Sequence, residues 1–239
     1  MIRAAAGLAL VVALPVMADE LHICTEVDYP PFMALDGHGE LYGFDRDLGE
    51  AICATMAAAC TWKVHEFDKI LETVAAGDCD MAIASIAATP ARREIVDFSA
   101  PYSAGGPSAG VFAGFDPNQR IDGARIGVQA GTVHAEHLAE TGRQAIVFAS
   151  NGEALEALAE RRIDLLFTSD GVIRRAQEGQ YPGLRPLRVE EIEGWGTAVA
   201  VARGADILRE RISEAIHILQ DDGTIERLQA RWFAPGTTT

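Results

Sequence analysis

From Leu21 onward the chain alternates short apolar runs with amphipathic stretches. Leu21–Thr25 (LHICT) reads as a strand, and Leu41–Phe44 as a short second segment. Asp47–Met56 predicts a helix with Leu48, Ala51, Ile52 and Thr55 on one face. TWKVHEF (61–67) predicts a strand that ends at Phe67, and Lys69–Ala76 a helix closed by Gly77. MAIASI (81–86) is so apolar that it belongs in the interior of a sheet, with Ser85 at its end. The pattern then restarts. RIGVQA (125–130) predicts a strand stopped by Gly131-Thr132, Val133–Thr141 a helix, and AIVFA (145–149) a strand. Asn151 is the expected N-cap of a helix over Glu153–Glu160, IDLLFT (163–168) a further strand, and Asp170 the start of another helix. Strands separated by helices argue for parallel α/β sheets.

Two βαβαβ stretches in series point to two small α/β lobes rather than one extended sheet. Two apolar stretches, GVFAG (110–114) and GTAVAVAR (196–203), flank the second and are the expected crossings between lobes. The tail ILRERISEAIHILQ, then TIERLQARWF, carries Leu208, Ile212, Ala215, Ile216 and Leu219 as one stripe, interrupted by Asp221-Asp222-Gly223. It is expected to pack back on the first lobe. The expected division is 19–108 and 199–239 for the first lobe and 109–198 for the second.

Ahead of this lies a segment of another kind. Arg3 is followed by an apolar run, Ala4–Met17, ending in Val16-Met17-Ala18 before Asp19. That is the signature of a cleaved secretory signal over 1–18. The run is short of the roughly 20 residues that span a bilayer. Cleavage would leave 221 of the 239 residues and, since Arg3 is the one ionisable side chain removed, a net charge of −16 against −15. Such a field repels nucleic acid and anionic lipid but leaves room for an arginine-centred pocket.

An exported chain can carry disulfides. Cys53 and Cys60 are seven apart across a break in a helical pattern, a loop that one bridge can close. Cys24 and Cys79 each fall in a predicted strand and read either as buried thiols or as a second bridge. There is no CxxC and the six histidines are scattered, so no metal or cofactor is expected.

The segments TEVDYPPF, GELYGFDRDLGEAIC and FDKILETVAAGDCDMAIASIAATPARREIVDFSAPY resemble the bacterial family 3 extracellular solute-binding proteins, and IGVQAGT, RRIDLLF and the terminal helices continue the likeness. The resemblance covers essentially the whole chain after the signal. It implies the periplasmic-binding-protein fold: two α/β lobes joined by two hinge strands, closing on a ligand in the cleft. It also implies a periplasmic, monomeric receptor that hands a polar amino acid or related carboxylate to the permease of an ABC importer. Cys53 and Cys60 stand where basic-amino-acid receptors of the family carry a disulfide.

Arg92 follows Thr89-Pro90 where a strand gives way to a helix, the edge at which parallel sheets bind ligands. Its guanidinium pairs bidentately with a carboxylate, and the family pattern gives it that role. Thr132, in the turn before a helix, offers a hydroxyl beside free backbone N–H groups, and Ser85 offers a second hydroxyl, flanked by Ala84. The resemblance makes Tyr29 and Phe67 the apolar walls and Glu26 a carboxylate for a distal amine. Three positions depart from the family pattern. Ala87 replaces a Ser or Thr, Val133 a second Thr, and Ser169 falls where a lobe-two aspartate takes the ligand's ammonium, with Asp170 one residue later. Asp170 is expected to swing in and replace that aspartate for an amine-bearing ligand. Some relatives are dehydratases, but Glu26, Asp170 and Glu193 are not paired with a recognisable base, so an enzyme is not expected. A sensor or accessory receptor for another carboxylate is the alternative.

Overall fold

The chain builds two lobes around two five-stranded sheets. The computed structural model describes residues 20–105 and 108–233; the expected signal segment, 1–18, lies outside them. The first lobe opens with β1 (Glu20–Thr25), a small ribbon of β2 (Ala34–Leu35) and β3 (Leu41–Tyr42), α1 (Phe44–Thr55) and β4 (Ala59–Val64). It continues through α2 (Phe67–Ala76), β5 (Met81–Ala82), α3 (Pro90–Arg93) and β6 (Asp97–Ser103). The second lobe holds β7 (Ser108–Gly114), β8 (Ile126–Gln129), α4 (Val133–Glu140), β9 (Ala145–Phe148), α5 (Asn151–Ala159), β10 (Leu165–Ser169), α6 (Asp170–Glu178) and β11 (Arg185–Ile192). The chain then returns to the first lobe as β12 (Thr197–Val201), α7 (Asp206–Asp221) and α8 (Thr224–Phe233).

The first sheet runs β4-β1-β5-β12-β6 and the second β11-β7-β10-β8-β9. Each is mixed, not parallel as expected. Helix-connected strands pair parallel (β1 with β4 and β5, β8 with β9 and β10), whereas β12 and β7, which enter from the other lobe, pair antiparallel. Period-two alternation splits each core in two. In the first lobe Ile23, Val199 and Val201 face α1, α7 and α8, while Cys24, Ala198 and Ala200 face α2. In the second, Val111 and Ala113 pack on α5 and α6, and Phe112 and Phe167 beside Leu138 of α4. The tail packs on the first lobe through its expected stripe. Thr55, by contrast, is exposed; Phe44 and Cys53 complete the buried face of α1.

The crossings differ from the expectation. Residues 110–114 lie inside the second sheet and 197–201 inside the first, because such apolar strands are needed as sheet interior. The chain passes between sheets just before each of them, after Ser103 and after Ile192. The two passages touch: a Cβ on Gly105 would stand 2.8 Å from the Gly196 nitrogen and 3.2 Å from the Trp195 carbonyl carbon. Both disulfides are formed, Cys53–Cys60 between α1 and β4, and Cys24–Cys79 between β1 and the approach to β5. The second of the two readings of Cys24 and Cys79 therefore holds.

Candidate ligand-binding cleft

The lobes meet along the ends of β1, β5, β8 and β10, and the side chains there close a polar pocket of ≈ 60 Å³. Arg92 supplies its cation. Thr89 caps α3 by accepting from the Arg92 backbone N–H, and Pro90 sits at the first turn, where a missing N–H costs nothing. This short helix turns the Arg92 side chain inward, leaving the residue 6% exposed. One terminal nitrogen donates to the Ala87 carbonyl at 2.9 Å and the other crosses the lobe boundary to the Gly131 carbonyl at 2.8 Å. The guanidinium lies over the Phe67 ring, 5.4 Å from its centroid. Among the described residues no carboxylate pairs with it. Phe67 is not the end of a strand as expected but the first residue of α2, since β4 stops at Val64.

Thr132 is the N-cap of α4: its hydroxyl accepts from Ala135 N–H at 3.2 Å and donates to the Gln129 carbonyl at 2.9 Å. Gly131 before it holds φ +68°, and a Cβ there would stand 2.9 Å from the Asp68 Cα on the opposing lobe. Ser85 is strained as well. It lies past the end of the short β5 with φ +48°, and its hydroxyl donates to Asp45 at 3.0 Å. Asp45 is fully buried and also accepts from the Tyr102 hydroxyl, yet burial outweighs these bonds and pushes its carboxyl up to about 7.

Glu26 is buried rather than a solvated loop acid. It accepts from the Gln129 amide at 2.7 Å across the lobes. Gln129 in turn accepts from Asn151 at 2.6 Å, and Asn151 from the Thr168 hydroxyl at 2.8 Å. Burial pushes Glu26 up to about 8 against the lowering effect of its Gln129 bond. Sequence reasoning missed Gln129, Asn151 and Thr168. The signal available was Gln129 and Thr168 as polar ends of otherwise apolar strands. Asn151 is not the N-cap; Ser150 is, which frees the Asn151 side chain for the network.

His134, which the sequence did not single out, lines the pocket with Tyr29, Phe67, Ala84, Ser85, Ala87 and Val133. Burial holds its ring down at about 4, hence neutral, and its Nε2 has no partner. Asp170 does not reach the cleft. As the first residue of α6 it points to solvent, half exposed, and pairs with Arg174 at 3.0 Å. A residue one place past the strand end faces the other way, so Ser169 borders the cleft instead. Its buried hydroxyl is hydrogen-bonded to the Tyr29 phenol.

Residues 21–235 match the family described as bacterial extracellular solute-binding proteins, family 3. The chain belongs to that family. As a member of it, this chain is a solute-binding protein. It is 28% identical over 224 residues to the ABC transporter arginine-binding protein 1 of Escherichia coli K12, spanning 90% of this chain and 91% of that one. A solved ancestral arginine-binding protein bound to arginine is 30% identical and superposes with a TM-score of 0.81, covering 91% of this chain and all of the other. The Salmonella typhimurium periplasmic binding protein described for high arginine specificity shares the fold at a TM-score of 0.84 and 24% identity.

Proposed function

We propose that this solute-binding protein is the periplasmic receptor of an ABC importer and takes an amino acid or amino-acid-derived carboxylate between its lobes. The observation that carries the reading is Arg92, a buried guanidinium in the cleft, held by two carbonyls and, among the described residues, paired with no acid. Burying an unpaired cation is costly, and a ligand carboxylate would relieve that cost. Thr132 and the free N–H groups at the start of α4 flank the same place, and Tyr29 and Phe67 supply apolar walls. Glu26, with the amides behind it, offers acceptors to the far end of the ligand. The likeness to arginine-binding relatives supports an amino-acid-derived solute.

The test begins with a thermal-shift screen of polar L-amino acids, their N-substituted derivatives and simple carboxylates, because a tight ligand stabilises the fold by RT ln(1 + [L]/Kd). The best hit is then titrated into wild type and Arg92→Ala by calorimetry. Removing one partner of a desolvated ion pair costs about 2–5 kcal/mol, so affinity should fall at least ~30-fold. Binding by the variant within threefold of wild type would overturn the assignment of Arg92.

A further inference from the structure

The polar pocket around Arg92 opens toward the hinge into a larger chamber of ≈ 550 Å³, and Tyr29, Ser85, Ala87, Val133 and His134 border both spaces. Most of the room for a ligand is therefore on the hinge side. The chamber's walls are aromatic: Phe32, Phe44, Tyr102, Trp195 and Phe233. Phe32 stacks on Tyr29 at 4.9 Å, and Phe233 closes on Phe32 and Phe44 at 5.0 and 5.2 Å.

At the junction of the two spaces the described residues offer no charge. Ala87 and Val133 are apolar, and Asp170 faces solvent. Glu26 is engaged by Gln129 inside the polar pocket, Asp45 lies behind Ser85, and Glu193 is exposed at the chamber's edge. Two buried polar groups there remain open to a ligand. The Ala109 carbonyl takes the proton of one His134 ring nitrogen, so the unpartnered Nε2 is a bare acceptor. The other is the Ser169–Tyr29 hydroxyl pair, in which one O–H is used between the two and the second is left to donate. An ammonium would bring a full charge and three donors to a place with neutral acceptors only. An amide brings one N–H and one C=O, matching the free acceptor and the one O–H that the hydroxyl pair leaves over.

Given the amino-acid-derived carboxylate proposed above, we infer that its α-nitrogen is acylated: Arg92 takes the carboxylate, His134 and Ser169 take the amide, and the acyl group fills the aromatic chamber. Titration calorimetry tests this on wild-type protein with L-arginine, L-glutamine and L-histidine, each against its N-acetyl and N-benzoyl forms. At least one acylated form should bind tenfold or more tightly than its free parent. Free amino acids that bind as tightly as their acylated forms would overturn the inference while leaving the receptor reading intact. If no compound in either series binds, both fall. A second readout is Ser169→Asp, which places a carboxylate at the junction. The ratio of affinities should move at least tenfold toward the free parent, and an unchanged ratio would overturn the inference. Should that variant not fold, His134→Leu serves: it removes the acceptor and should weaken the acylated ligand at least fivefold more than the free one, equal weakening of both counting against it.

Discussion

Several of the cleft's side chains are held in states that water would not allow. Asp45 is the clearest, because all its partners, Ser85 and Tyr102, lie on its own lobe and its burial does not depend on closure. An acid whose pKa rises on folding, here from 3.8 to about 7, costs the fold progressively more as pH climbs through that window and no more above it. Asp45→Asn removes the penalty along with part of the hydrogen bonding. Relative to wild type, the variant should gain stability between pH 4 and 7 and run parallel above pH 7, as read from denaturant midpoints. A difference independent of pH would show that Asp45 stays ionised in the fold. His134 works in the opposite sense. Its pKa falls from 6.5 to about 4, so it supports the fold above pH 6.5 and ceases to do so as pH falls toward 4.

Among the elements, the two disulfides act at different ranges. Cys53–Cys60 spans seven residues and ties the end of α1 to β4; Cys24–Cys79 spans 55 and ties β1 to the approach of β5 beneath α2. In the chain-entropy account the longer loop is worth about 4 kcal/mol and the shorter about 2.5. Replacing Cys24 and Cys79 together by Ala should therefore lower the unfolding free energy more than replacing Cys53 and Cys60. Equal losses would mean that strain or packing, rather than loop length, dominates. The helix starts show a similar division of labour. Thr89, Thr132 and Ser150 each spend a hydroxyl on a cap, and these caps set the directions of Arg92, the Gly131 turn and Asn151.

For the whole molecule, the structure is that of closed lobes. Arg92 to Gly131 and Gln129 to Glu26 are hydrogen bonds between lobes, while the two passages of the chain meet at Gly105 and Gly196. Such an arrangement suits hinge closure around a ligand. Small-angle scattering should give a smaller radius of gyration with saturating ligand than without. Gly131→Ala is the control. Its Cβ would press on Asp68 across the boundary, and φ +68° adds a backbone cost of roughly 1–2 kcal/mol. The variant should keep the expanded radius at ligand concentrations that compact the wild type. A wild-type profile unchanged by ligand would exclude the closing mechanism.

The alternation of apolar strands and amphipathic helices is local, and it was enough to determine two α/β lobes, the return of the tail to the first lobe and most helix positions. Positions at element ends, together with the family resemblance, singled out Arg92, Thr132, Tyr29 and Phe67, which the fold gathers around one pocket. What the tertiary structure alone decided depends on which way a side chain turns at an element's end and on what approaches from the other lobe. Asp170 and Ser169 differ by one residue, yet one meets Arg174 in solvent and the other borders the cleft. Cys24 finds Cys79, and Glu26 finds Gln129, over separations that leave no periodic trace in the sequence. The antiparallel entry of β7 and β12 is likewise long-range, since strand direction follows from which lobe the chain arrives from rather than from the strand's own residues.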